Sequence, residues 1–219
     1  MRRAAGALLL CLGGCGAREA APPTSLPPAP APGSATSTAD EGDDWRRQAT
    51  LPDRNRLRRW RDAWVDGLSA ARRVAPSQVA AQGALLAIDA ALPDPVPPPG
   101  TYRCRMFKLG SKGGVGGGFT AYDWFDCRIA AGAGGTRQFV KLTGSQRQAG
   151  VVFKAEQTRA AFLGTLMLGD EARAYAYGVD NTRDVAGWVE RVEPRRWRLV
   201  MPYPAFESTL DVLELVPAR

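Results

Sequence analysis

From Gly100 onward apolar and charged residues alternate with a period of two, and no other feature limits so sharply what this chain can fold into. Tyr102, Cys104 and Met106 alternate with Arg103 and Arg105, and Phe125, Cys127 and Ile129 alternate with Asp126 and Arg128. A helix would scatter such a set around its circumference, whereas a strand puts it on one face. Further strands are predicted at Gln138–Thr143 and Gln148–Phe153, joined by a tight turn at Gly144-Ser145. Others follow at Ala160–Met167, Ala172–Tyr177, Val185–Val192, Arg196–Met201 and Thr209–Val216. A spacing of about ten residues predicts an antiparallel meander of about eight or nine strands over residues 100–219. Full or partial closure into a lipocalin-like barrel would remove the exposed edges of such a meander. A two-sheet sandwich is the alternative.

Residues 45–99 follow a different period. Thr50, with Pro52 and Asp53 behind it, is a helix start. Leu57, Trp60, Trp64 and Leu68 then fall on one helical stripe, while Arg54, Arg58, Arg59 and Arg61 face elsewhere with Asp62 and Asp66 in turn-to-turn reach. The stripe suits a helix that packs two tryptophans onto a core better than one lying on an anionic membrane. A second helix is predicted from Ser77 to about Ala90, ended by Pro93, Pro95, Pro97, Pro98 and Pro99. The expected class is therefore α+β, mainly β, with two N-terminal helices ahead of the strands.

The first 44 residues cannot contribute a core. Arg2-Arg3, the apolar run Ala4–Leu12 and the small residues before Cys15 have the layout of a secretory signal. The apolar run is too short to span a bilayer, which takes about 20 residues in a helix. Leu12-Gly13-Gly14-Cys15 looks like a lipoprotein lipobox, so residues 1–14 are expected to be cleaved and Cys15 to carry the lipid. Arg2-Arg3 lacks the wider twin-arginine pattern, which favours export of an unfolded chain. Gly16 stands where inner-membrane retention uses Asp, so the expected address is the periplasmic side of the outer membrane. Residues 15–44, rich in Pro, Ala, Ser and Thr, read as a disordered tether spanning about 30 Å as a coil and about 90 Å if fully extended.

Cysteine count agrees with that compartment. Cys11 leaves with the leader and Cys15 takes the lipid, so Cys104 and Cys127 remain and are expected to pair in an oxidising space. With no histidine in the chain, two cysteines make a poor metal set. The net charge of +7 is carried mostly by arginine and drops by two without Arg2 and Arg3. It is compatible with anionic headgroups or an acidic partner. Nucleic acid is not expected outside the cytoplasmic membrane.

Several chemistries are excluded by composition. Without histidine there is no Ser-His-Asp triad and no Cys-His pair, and no serine is followed by lysine three positions on. Lys112-Gly113-Gly114-Val115-Gly116-Gly117 resembles a deviant Walker loop, but the second lysine and the Ser/Thr are missing, and hairpin sequence surrounds it. It reads as a glycine-rich loop between the two cysteine strands. Asp123, Asp126, Asp170, Glu171, Asp180, Asp184 and Glu190 are available to a carboxylate-pair hydrolase. Asp180-Asn181-Thr182-Arg183-Asp184 lacks the oxygen spacing and glycine of a calcium loop and reads as a turn. No cofactor is implied.

Four phrases carry a family resemblance: Tyr102-Arg103-Cys104-Arg105 with Lys108-Leu109-Gly110; Lys141-Leu142-Thr143-Gly144-Ser145-Gln146-Arg147; Trp197-Arg198-Leu199-Val200; and Leu210-Asp211-Val212-Leu213-Glu214-Leu215. Together, over about Asp53 to Pro217, they resemble an uncharacterised bacterial domain family of exported proteins. The resemblance implies no catalytic residues. It places Arg105, Lys108, Lys141, Ser145 and Arg147 in shared phrases, where they either contact a small ligand or pair and pack the sheet. The expected function is a lipid-anchored, non-catalytic binding or scaffold domain of the cell envelope. An envelope glycan hydrolase and a barrel-type protease inhibitor are the alternatives.

Overall fold

The computed structural model describes residues 44–114 and 117–218; the leader, Cys15, all of the tether except Asp44, and Val115 and Gly116 lie outside the described residues. A short helix, α1 (Trp45–Gln48), is capped by Asp44. Thr50 then accepts the Asp53 amide and heads α2 (Leu51–Arg58), with Pro52 in the first turn, as the sequence predicts. The apolar stripe, however, does not run along one rod. The helix is interrupted at Arg59 and resumes as α3 (Trp60–Val74). Leu57 packs with Phe153, Ala161, Leu163 and Trp188, whereas Trp64 and Leu68 pack with Phe107, Leu109, Val200 and Val212. These are separate patches of one curved wall, and the break lets a single stripe serve both. The second helix is shorter than predicted: α4 (Pro76–Ala80) is followed by a 3-10 turn, Gly83–Leu86.

Eight strands follow: β1 (Gly100–Leu109), β2 (Phe119–Ala131), β3 (Arg137–Lys141), β4 (Gln146–Lys154), β5 (Ala160–Leu168), β6 (Asp184–Glu193), β7 (Arg196–Pro202) and β8 (Leu210–Pro217). Each pairs antiparallel with the next, and β8 returns to β1, so the meander closes into a barrel and is not a sandwich. Ala172–Tyr177 is not a strand. β5 pairs directly with β6 across that segment, leaving no edge for it to join. The mainly β class and the barrel thus stand, with eight strands.

Inside, Tyr102, Cys104, Cys127, Phe139, Phe162, Trp197 and Leu215 belong to one apolar cluster. The Cys104–Cys127 disulfide lies within it, bridging β1 and β2 with Cα atoms 5.9 Å apart. Gly150 and Gly164 stand opposite each other on β4 and β5. A Cβ on Gly164 would lie 2.6 Å from Phe162 Cζ and closer still to the Ala149 carbonyl oxygen, so neither atom leaves room for a side chain.

The helices share their core with the outer wall, and one buried ion pair fixes them there. Arg198 on β7 faces Glu190 on β6 across the ladder, with both residues buried and 2.7 Å between charged atoms. The same guanidinium donates to the carbonyls of Ala84, Leu85, Ala87 and Ile88 at 3.3, 2.8, 2.7 and 3.0 Å, and lies 4.8 Å from the Trp64 ring centroid. Carbonyls that a longer helix would have used internally are thereby satisfied by an arginine. Burial raises the Glu190 carboxyl above its ordinary range, although Arg198 and Arg159 pull the other way.

Candidate functional site

Alternation places charge inside the barrel at one end. On β1 the inward positions run Tyr102, Cys104, Met106 and then Lys108; on β8 they run Leu215, Leu213 and then Asp211. Lys108 and Asp211 are register partners. Lys108 Nζ lies 3.4 Å from Asp211 Oδ2 and 3.1 Å from Glu207 Oε2, and donates to Gln146 Oε1 at 3.4 Å. Burial alone would depress this lysine, but the Asp211 and Glu207 carboxylates outweigh it and hold its pKa above the ordinary value. Asp211 accepts the Ser208 hydroxyl. Its deeper burial raises its carboxyl against the pull of Lys108.

Lys141 caps the turn that follows it. Its Nζ donates to the Thr143 and Gln146 carbonyls, each at 2.9 Å, and sits 3.6 Å from the Phe125 ring centroid. Gly144 adopts φ +93°, and a Cβ there would lie 2.7 Å from Lys141 Nζ, so the glycine in this phrase serves both the turn and the lysine's approach. Burial, followed by the neighbouring Arg147 and Lys108 charges, lowers Lys141 to about 8.

Between these groups lies a cavity of about 190 Å³ lined by Met106, Lys108, Tyr122, Phe125, Lys141, Ser145, Gln146, Gln148 and Glu207. Gln148 is only 3% exposed, yet its Oε1 has no hydrogen-bond partner among the described residues. A buried acceptor without a donor costs about 1–3 kcal/mol of desolvation. The rim loop above, residues 203–209, carries Tyr203 and Glu207 at φ +48° and +66°, a region that non-glycine residues seldom occupy. Lys112 holds this loop: its Nζ donates to the Pro204 and Ala205 carbonyls, and its amide donates to Glu207 O.

Three of the five residues proposed from shared phrases line the cavity: Lys108, Lys141 and Ser145. Arg105 and Arg147 do not. Arg105 has the outward parity of β1 and pairs at 2.8 Å with Glu214, its register partner on β8. Arg147 donates to the Gly169 and Glu171 carbonyls at 2.9 and 2.7 Å. Both tie the wall together. Gln148, Gln146, Asp211, Glu207 and Tyr122 were missed by the sequence reading. For Asp211 and Gln148 a signal existed, since polar residues at inward parity on apolar strands mark an interior polar site.

The seven carboxylates offered for hydrolysis are absent from this lining. Glu190 is held by Arg198, Glu171 by Arg183, and Asp184 accepts the Gly178 amide. Asp180 accepts the Thr182 amide and hydroxyl, the turn expected there. Glu207 and Asp211, the acids at the mouth, share one ammonium. Among the described residues no cluster of three or more side chains suits a metal ion.

No curated protein and no solved structure matches the chain. The model of the family described as Domain of unknown function (DUF4893) matches residues 45–215, from α1 almost to the end of β8, and the chain belongs to that family.

Proposed function

We propose that this protein is a lipid-anchored domain of the bacterial cell envelope that binds a small ligand, without catalysis, in a lipocalin-like barrel mouth. One observation carries the reading: a barrel packed with aromatic side chains at one end has a polar cavity at the other, with a buried Gln148 oxygen left unpartnered. Of the buried polar atoms without a partner among the described residues, this is the one whose side chain lines the cavity, where a ligand donor would satisfy it. Lys108, Lys141 and Ser145 are the contacts beside it; Arg105 and Arg147 serve the wall. The lipobox-like Leu12-Gly13-Gly14-Cys15 and the long tether support anchorage through Cys15 on the periplasmic side, with the outer membrane favoured. The disulfide agrees with an oxidising space.

Native mass spectrometry of protein purified from a bacterial host tests the binding role. A small non-covalent adduct is expected on the wild type and is expected to be missing from Gln148→Leu. Bare wild-type protein, with no melting shift across a panel of envelope metabolites, would defeat it. Anchorage has its own test: Cys15→Ser should move the folded protein to the soluble fraction, and a variant still membrane-bound after a high-salt wash contradicts the lipid anchor.

A further inference from the structure

We infer that the mouth takes a small molecule bearing a carboxylate next to an N–H donor, as in an N-acylated amino acid, and that Glu207 holds the carboxylate's place until it arrives. The inference rests on the mouth being a ligand site, as proposed above. Of the two carboxylates on Lys108, Asp211 is built in: it is the register partner on the adjacent strand and is 5% exposed. Glu207 is a visitor from the rim. Its side chain is 41% exposed, and its backbone sits at φ +66°, a conformation that carries strain for glutamate. Lys112 pins the loop's backbone through carbonyls, so Glu207 can leave by turning its side chain while the loop stays in place.

Charge decides the class of guest. A ligand carboxylate that displaces Glu207 leaves Lys108 with the same number of anions as before, and the buried lysine stays compensated. A neutral or cationic guest must either leave Glu207 in place, within a cavity of only about 190 Å³, or strip Lys108 of a partner. Gln148 lines the same cavity, and its oxygen, buried and unpartnered among the described residues, becomes an acceptor for the guest's N–H once the side-chain amide turns toward it.

Chemical-shift titration of the purified, ¹⁵N-labelled protein with N-acetylglycine, acetate and N-methylacetamide tests this. N-acetylglycine should shift the Gln148 side-chain amide and bind about tenfold more tightly than either half-probe, the worth of one added hydrogen bond to a buried group. Glu207→Gln should tighten N-acetylglycine about threefold or more by removing the resident competitor's charge, and Gln148→Leu should weaken it about tenfold. An unchanged or weaker affinity in Glu207→Gln overturns the stand-in role of Glu207. N-methylacetamide binding as well as N-acetylglycine overturns the carboxylate requirement. If no probe binds wild type or Glu207→Gln while native protein retains an adduct lost in Gln148→Leu, the ligand class fails and the mouth reading survives.

Discussion

Replacing Arg198 with methionine is expected to destabilise the fold by about 3–5 kcal/mol, the loss typical of stripping one partner from a buried ion pair. Glu190, 1% exposed, would keep only Arg159, at 3.5 Å. The carbonyls of Leu85 and Ile88 would lose the arginine donor, while those of Ala84 and Ala87 would keep only the Ala87 and Ala90 amides, so the 3-10 turn loosens from the wall together with α4. Urea denaturation measures the loss directly. The double change Arg198→Met with Glu190→Leu should recover the part that comes from the unpaired carboxylate, since an apolar pair of similar volume carries no buried charge, and leave the part that comes from the carbonyls. The deficit should also depend on pH. Glu190 already titrates above its ordinary 4.5 in the folded protein because of burial, and loss of Arg198 moves it higher. Protonation therefore favours the folded state: the contribution is fully present below 4.5 and is lost as pH rises through the folded value. The gap between Arg198→Met and wild type should narrow in acid. A gap that stays constant between neutral pH and about pH 4 would show that Glu190 is not the source of the loss.

The second large effect is expected from the disulfide. Cys104 and Cys127 are 23 residues apart in sequence, and in the chain-entropy model closing such a loop stabilises the folded state by about 3 kcal/mol. Cys104→Ala with Cys127→Ala should lose that amount, with a steeper denaturant dependence because the uncrosslinked unfolded chain exposes more surface. A loss below about 1 kcal/mol, within the range of ordinary single changes, would mean that the clustered aromatic side chains hold this end of the barrel without the bridge. Both cysteines are at most 1% exposed. Reductant added to native protein should therefore act only at the rate of global opening.

The barrel was legible because β1 and β2 alternate and because turn residues recur between the strands, although β5 is apolar almost throughout. The same parity separates Lys108, inward with Cys104 and Met106, from Arg105, outward with Arg103, although both lie in one shared phrase. Ala172–Tyr177 alternates as well, but tertiary pairing decides strands. Tyr177 is used instead to bind Asp53 and the Thr50 amide, which locks that segment against α2. The shortened second helix had one local signal, Gly83, whose φ of +54° breaks the helix after α4. The carbonyls beyond it are taken by Arg198, more than 100 residues further along the chain, which no local pattern announces. Glu207 was hidden for a similar reason, lying on a loop between two strands and reaching the site only through an unusual backbone angle.

Gly150 and Gly164 have a consequence for the barrel wall. Where they oppose each other, two strands meet through bare backbone, and Phe162 lies against the gap that Gly164 leaves. A side chain at Gly164 would have to displace that ring or the Ala149 carbonyl, and one at Gly150 would meet the Leu163 carbonyl, so neither position takes a larger residue without moving a strand. The rim loop, residues 203–209, carries no such restriction, so exchange there alters the mouth while the β4–β5 pair has to keep both positions bare.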